Sequence, residues 1–406
     1  VVDATALTRL VGEAAGFLDA EWGRLPRYVP AADRQVEAAV VAGEAAGEPD
    51  IDLLTIEDVD RLVAGSGLRI PAFRLVKQGQ TLPQARVTRR VRIGSRPVSD
   101  LIDPAAVHRE VADGATLVLQ GLHRSFPPVA AFCRDLERTL THPVQANAYL
   151  TPPVAQGLNL HEDPHDVFAV QRYGTKRWVV HPPDGGAAWD LSLQPGDVLY
   201  LPAGTRHAAQ TVGEPSLHLT LGVRTISWRQ VVEQAVTEAM ATIEPLDRAL
   251  PVSWAEHPDV LEDEVATLLA TVAERLADRR TIPDAVHREA DRFWSSRSVD
   301  RTGGLLDILT LDQMDDRARL RRRDGVIARV ATADTDGGVA ADRVEVVLAD
   351  RRLSLPAAVA PAVQHVLDAD RLQPRDLDDH LDVDSRLVLC RRLIREGLLQ
   401  IDRAGA

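Results

Sequence analysis

Apolar positions recur at helical spacing at the start of the chain and give way to strict alternation near its middle. In "ATALTRLVGEAAGFLDAEW" they return every three or four residues, which predicts one helix with Thr5 as its N-cap. "DLLTIEDVDRLVAG" predicts a second helix, opened by the Thr55-x-x-Asp58 capping pattern and closed at Gly65. From about 70 to 100 the pattern shortens to strands ("AFRLVK", "ARVTRRVRIG"). Pro104 and Gly114 bracket a compact helix, "ATLVLQG" reads as a buried strand, and "PPVAAFCRDLERTL" is again helical.

Between about 143 and 225 five short runs alternate or are wholly apolar: "VQANAYLTP", "DVFAVQ", "RWVVHP", "DVLYLP" and "SLHLTLGV". "RYGTK", "QPGD" and "PAGTRH" punctuate them with Gly and Pro. Many short strands at this spacing predict a β-sandwich or barrel. Helical stripes resume in "WRQVVEQAVTEAMATI" and "DVLEDEVATLLATVAERLADR". The last hundred residues read as a separate unit. It has two strands, "GVIARVATA" and "DRVEVVLADRRLSLP", about an Asp336-Gly337-Gly338 turn, and helices in "PAAVAPAVQHVLDAD", "QPRDLDDHL" and "VDSRLVLCRRLIREGLL". Helices followed by "REGLLQID" resemble a winged-helix module. The expected domains are 1–226, 227–300 and 301–406, in an α+β chain.

Composition narrows the function. The chain has 406 residues and a formal net charge of −13, which disfavours general binding to nucleic acid or anionic membrane and suits a basic partner. Residues 301–406 carry 17 basic and 19 acidic side chains, so direct nucleic-acid binding by this unit is not expected. Only two cysteines occur, Cys133 and Cys390, each in an apolar setting. They provide no disulfide framework, and a reducing cytoplasm is the expected location. No apolar run reaches membrane-spanning length.

The candidate chemistry lies in "NLHEDPHDVFAVQRYGTKRW". His161 and Asp163, two apart and just before a strand, are expected to share a face, with Glu162 turned away. Two histidines and a carboxylate leave coordination positions open and suit non-haem Fe(II). The best third ligand is His207 in "LYLPAGTRHAAQ", 46 positions after His161, a gap wide enough for about three strands. His165, His181 and His218 compete for that place. Zinc is the other metal class, but zinc hydrolysis also wants a carboxylate base near the open site. The chain has 47 basic residues, yet lysine occurs only as Lys77 and Lys176. Lys176 follows the "RYGT" turn. Hairpin pairing would set its strand beside "DVFAVQ" and aim a compact ammonium at the far carboxylate of 2-oxoglutarate, should that co-substrate bind the metal.

The segment "NAYLTPPVAQGLNLHEDPHDVFAVQRYGTKRW", with "PGDVLYLPAGTRHAA" and "SLHLTLGV" after it, resembles the JmjC (cupin-type) oxygenases of the ribosomal oxygenase group. These hydroxylate Arg or His side chains of ribosomal proteins. The likeness is strongest over about 140–225. It implies a double-stranded β-helix (jelly-roll) barrel with N-terminal helices, a helical dimerisation region and a C-terminal winged-helix-like domain. It also implies Fe(II), 2-oxoglutarate and O₂, with His161, Asp163 and His207 holding iron. Lys176 and Tyr149 would hold the distal carboxylate of the co-substrate, which decarboxylates to succinate and CO₂ as a C–H bond is hydroxylated. Asn147 shares a strand face with Tyr149, and Ser216, His218 and Thr220 share another; all four are candidates for the pocket wall. The implied partners are a basic protein or peptide, a ribosomal protein foremost, and a second copy of the chain. The spacing from His161 to His207 is shorter than the resemblance leads one to expect, implying a trimmed insert after "HPPDGG". A peptide natural-product hydroxylase and an N-methyl-lysine demethylase are alternatives on the same centre. A non-catalytic metal-binding cupin with a regulatory winged helix is another.

Overall fold

A computed structural model describes residues 5–33, 53–65, 67–153, 158–277, 281–323, 325–326, 328–331, 340–348 and 351–403. The chain divides into two compact units, 1–225 and 226–406.

In the first unit the opening segment is two helices, α1 (Thr5–Val11) and α2 (Ala14–Ala20), where the sequence predicts one. Gly12 takes a left-handed φ of 77°, and the Glu13 carboxylate then caps the amides of Ala15 and Gly16. A short strand follows, β1 (Arg27–Val29). Helix α3 (Ile56–Gly65) carries the predicted reciprocal cap: the Thr55 amide donates to Asp58, and the Asp58 amide donates to the Thr55 hydroxyl. Strands β2 (Phe73–Lys77), β3 (Gln80–Thr81), β4 (Thr88–Ile93) and β5 (Arg96–Ile102) precede α4 (Pro104–Ala112), which the Asp103 side chain caps. Then come β6 (Thr116–Leu119) and α5 (Pro127–Leu140).

The remaining strands are β7 (Val144–Thr151), β8 (Leu158–His161), β9 (Asp166–Tyr173), β10 (Lys176–His181), β11 (Trp189–Leu193), β12 (Val198–Leu201), β13 (Arg206–Thr211) and β14 (Ser216–Val223). With β1, β2, β3 and β6 they form an eight-stranded sheet in the order β1-β12-β9-β14-β7-β6-β2-β3 and a four-stranded sheet in the order β11-β10-β13-β8. Four strands, rather than about three, therefore lie between His161 and the strand of His207. The expected pairing of β10 with β9 does not occur: the chain changes sheet at the "RYGT" turn, and β10 pairs with β11 and β13.

Alternation along β9 explains how the sheets are held. Phe168 and Val170 enter the main core with Phe17, Leu136 and Tyr200, on the face covered by the helices. Val167 and Ala169 point the other way and pack with Trp178, Val180 and Ala209 of the four-stranded sheet. Losing a fully buried aromatic such as Phe168 to alanine costs about 3–5 kcal/mol.

The second unit begins with helices α6 (Trp228–Ala241), α7 (Glu262–Ala277) and α8 (Thr281–Ser295), whose core includes Ala239, Ile243 and Val272. After α9 (Gly304–Thr310) come β15 (Leu320–Arg322), β16 (Ala328–Ala331), β17 (Arg343–Leu348) and β18 (Arg351–Pro356). Next are α10 (Ala360–Asp368), β19 (Arg371–Leu372), α11 (Val383–Arg395) and β20 (Leu399–Ile401). The segment "DRVEVVLADRRLSLP" is a hairpin of two strands instead of one, and "QPRDLDDHL" holds a single 3-10 turn, Pro374–Leu377, instead of a helix. The Asp336-Gly337-Gly338 turn lies outside the described residues. Among the described residues no helix is long and apolar enough to cross a membrane.

Candidate metal centre and its adjoining pocket

His161 is the last residue of β8, and Asp163 lies in the loop beyond it, so the two do not share one strand face as the sequence suggests. They meet through the neighbouring strand instead. His161 pairs in register with His207 of β13, and the two rings lie 4.3 Å apart. The loop carrying Asp163 is tied to the turn before His207, because the Gly204 amide donates to the Asp163 carbonyl at 2.8 Å. Asp166, which is buried, fixes both segments: it accepts from the Ala203 amide at 2.9 Å and from the Tyr200 hydroxyl at 2.7 Å. His207 Nε2 then stands 3.8 Å from Asp163 Oδ2. One ligand atom from each of His161, Asp163 and His207 lies within 4.8 Å of the others, and among the described residues no other His, Cys, Asp or Glu group does this.

The donor chemistry fits a divalent metal. Each histidine uses Nδ1 against a main-chain carbonyl two residues back: His161 with Asn159 at 2.8 Å, His207 with Thr205 at 2.9 Å. A carbonyl only accepts, so each Nδ1 carries a proton, and Nε2 is the atom that offers a lone pair to a metal. Burial pushes His207 below the ordinary histidine range, which keeps it neutral as a ligand must be. Two imidazoles and one carboxylate leave the rest of the coordination sphere open. Glu162, between two of these residues in the chain, is exposed and is not one of the three clustered donors.

A buried polar row continues from His207. Trp178 lies against His207, ring centres 5.8 Å apart, and meets His218 edge-on at 5.6 Å. His218 stacks flat on Tyr149 at 4.8 Å. Lys176 Nζ is 3.3 Å from His218 Nδ1 and 3.4 Å from the Thr151 hydroxyl. Lys176 is only 2 % exposed, and among the described residues it has no carboxylate within 4 Å. Burial pushes its ammonium down to about 7. Burial and the neighbouring Lys176 hold His218 well below the ordinary range, so its ring is a neutral acceptor for the lysine. The Trp178 indole N–H is buried with no partner. A buried ammonium facing only neutral groups, with an idle donor two positions along the strand, is suited to an anionic ligand.

The "RYGT" turn sets the lysine. A Cβ on Gly174 would collide with the Pro215 carbonyl, and its φ of 59° is left-handed, so glycine is required there. Gln171 Nε2 braces the turn by donating to the Tyr173 and Gly174 carbonyls and to Ser216 Oγ. Ser216 Oγ thus accepts from the brace of the turn. Asn147 accepts from the Gly121 amide at 3.0 Å, and Thr220 is half-buried on β14. Of the competing histidines, His165 contacts Gln145 at 3.1 Å, His181 is exposed at the end of β10, and His218 joins the lysine. Thr151 and Trp178 escaped the sequence reasoning. The alternation that picks out Asn147 and Tyr149, and the step of two from Lys176, would each have reached them.

A family model for the JmjC domain matches residues 122–188 and 183–231. The bifunctional lysine-specific demethylase and histidyl-hydroxylase NO66 of Drosophila mojavensis is 28% identical over 244 residues, covering 50% of this chain and 27% of that protein. Ribosomal oxygenase 2 of Rattus norvegicus is 30% identical over 164 residues, 34% of this chain and 35% of that one. The chain spans about a third or less of the length of these curated relatives. A solved structure of YcfD, a ribosomal oxygenase from Escherichia coli in complex with cobalt and succinic acid, superposes with a TM-score of 0.54 at 18% identity. That match covers 97% of this chain and 99% of that one, and it is a likeness of fold. Residues 122–231 thus match a JmjC domain over the metal-bearing strands, and the chain is similar in sequence over part of its length to the ribosomal oxygenases and in fold over nearly all of it to one of them.

Proposed function

We propose that this chain is an Fe(II)- and 2-oxoglutarate-dependent oxygenase that hydroxylates a side chain of a protein or peptide, with Arg or His of a ribosomal protein as the leading candidate. The observation that carries this is the adjacency of two features: a three-residue donor set with both imidazoles clamped through Nδ1, and a buried lysine without an anion. YcfD has been solved with cobalt and 2-oxoglutarate, the pair of ligand types these two features suit. Bound iron would supply O₂ activation, coupled to conversion of 2-oxoglutarate to succinate and CO₂, with one oxygen atom delivered to a C–H bond.

His161, Asp163 and His207 hold the metal in this scheme and leave one side of it open. Lys176 binds the distal carboxylate of the co-substrate, with the Thr151 and Tyr149 hydroxyls beside it. Burial pushes the Tyr149 phenol up, so it stays a neutral donor. Trp178 and His218 wall the pocket and keep water from the lysine. Asn147 and Ser216 act from behind this wall, through the contacts already described. The net charge of −13 favours a basic substrate by complementarity. NO66 is named for demethylation as well as hydroxylation. Product mass separates the two, since hydroxylation adds an oxygen and demethylation removes a CH₂.

The finer architecture is part of the same proposal. The two sheets, packed through Val167, Trp178 and Ala209, act as a double-stranded β-helix within a catalytic domain of residues 1–226. Residues 227–300 serve as a dimerisation region, for which the exposed Trp228, Val232 and Leu269 offer apolar surface. Residues 301–406 form a winged-helix-like domain, for which α10, α11 and the small sheet of β15, β19 and β20 offer the parts. A monomer at all concentrations in sedimentation would refute the dimer. We place the enzyme in the cytoplasm, where the buried thiols of Cys133 and Cys390 stay reduced.

The test is succinate formation by anaerobically Fe(II)-loaded protein exposed to O₂, with and without ribosomal protein extract. Turnover that rises with the extract is expected. No turnover from protein shown to hold iron would overturn the assignment.

A further inference from the structure

The β4–β5 hairpin belongs to neither large sheet; its two strands pair with each other, and Leu101 makes a single bridge to Arg69. It is held at its base, where the Ile102 amide donates to the Leu68 carbonyl, the Ile70 amide donates to the Asp100 carbonyl, and Arg69 pairs with Asp100. Along the ribbon, from Arg89 opposite Leu101 near the base to Arg92 and Arg96 near the tip, Arg89, Arg90, Arg92 and Arg96 are all exposed. Among the described residues none of these four guanidiniums has a carboxylate within 4 Å. Arg92 donates only to the Ser95 carbonyl, at 3.4 Å. Several other exposed arginines of this acidic chain do find one, among them Arg177 with Asp190, Arg138 with Asp135 and Arg329 with Asp291. Residues 88–102 hold four arginines against one aspartate, on a chain whose net charge is −13. Screening over roughly 10 Å at moderate salt lets this arm act as a positive site despite the acidic whole.

We propose that this hairpin docks the protein on double-helical RNA through the phosphate backbone. Four unpaired guanidiniums on a narrow antiparallel ribbon match phosphate by charge and by their planar forks, each able to hold two oxygens. Residues 88–102 contain no aromatic side chain to stack unpaired bases, and the deep, narrow major groove of an RNA duplex withholds base edges from the arginines, so the contact is with the backbone of a duplex and independent of sequence. The choice of RNA over DNA rests on the proposed ribosomal substrate, whose surroundings are folded RNA.

The test is fluorescence anisotropy of the full chain with a labelled RNA duplex of about 20 base pairs as salt rises from about 50 to about 200 mM. Four neutralised phosphates predict a log–log slope of about −3.6 and a loss of roughly 100-fold in affinity over that range. The combined Arg89→Ala, Arg90→Ala, Arg92→Ala and Arg96→Ala variant should lose at least about tenfold in affinity and most of the slope. The same four positions changed to lysine should keep the slope. Neither set should alter succinate formation on a free peptide substrate, so failure here is distinct from failure of the oxygenase assignment. Absent binding by the unaltered protein, or equal binding by the alanine variant, would overturn the proposal and leave the arginines as guards of open strand edges. Tighter binding to a DNA duplex of the same sequence would overturn the choice of RNA. Displacement of the RNA by polyglutamate at equal charge would transfer the surface to an acidic protein.

Discussion

Both lysines of this chain sit on the first unit, and they could hardly be placed more differently. Lys77 ends β2 near the rim of the eight-stranded sheet, partly exposed and ion-paired with Asp113. Lys176 begins β10, is buried, and faces a neutral histidine and a threonine hydroxyl. Rarity alone does not separate them. What separates them is an unmet cost: the Lys77 charge is shared with a carboxylate and water, whereas the Lys176 charge has lost water and gained no counter-ion. The same residue type is a surface ion pair at one place and an open socket for an anion at the other.

The harshest way to strain this contrast is to remove the donors beside the socket. Asp163→Ala or His207→Ala should lower succinate formation by about 10³-fold or more; Asp163→Ala should leave the melting temperature nearly unchanged, whereas His207→Ala, which empties a buried site beside Trp178, should lower it. Near-normal turnover in either variant, with its iron content measured, would dissolve the assigned donor set. Next, Lys176→Met should raise the 2-oxoglutarate requirement about 100-fold, and the protein should melt no lower, since an unpaired buried charge is replaced by an apolar chain of similar length. Lys77→Met should shift the requirement by less than about twofold. Equal effects from the two would erase the comparison.

Proton linkage sharpens it further. Lys176 lies near about 7 in the folded chain against an ordinary value of 10.5. Between these values the unfolded chain binds the extra proton, so this group's contribution makes stability rise with pH from about 7 to 10.5. Subtracting the pH profile of Lys176→Met from that of the unaltered protein should isolate that rise; a flat difference would mean the ammonium is not destabilised. Carboxylate binding needs the protonated form. Co-substrate affinity should therefore fall by up to about tenfold per pH unit above about 7, measured anaerobically at saturating metal.

Much of this was legible in the chain. The long helices and the apolar strands β6, β7, β9, β10, β12 and β14 follow from periodicity, and His161, Asp163 and His207 from residue type and spacing. The polar strands were not: β8 ("LNLH") and β13 ("RHAAQT") are strands because they pair with each other and, through β13, with β10. Local propensity has little to say about such pairings. The same limit misplaced β10, since a four-residue turn looks like a hairpin until tertiary packing sends the strand to the other sheet. The arginines of "ARVTRRVRIG" gave a strand but no hint that they lack partners, which depends on what folds around them.

The smallest expected effect concerns the histidine clamps. Asn159→Ala and Thr205→Ala should each leave metal affinity within about twofold, measured by competition with a chelator, because only their main-chain oxygens are used. A tenfold loss would show that the side chains matter. Orientation of both imidazoles is thus written into peptide geometry, where substitution cannot easily erase it. Sequence drift around the centre is then buffered, and each histidine with the two residues before it is a portable cassette. A protein engineer could graft that cassette onto another strand end without importing a supporting cast.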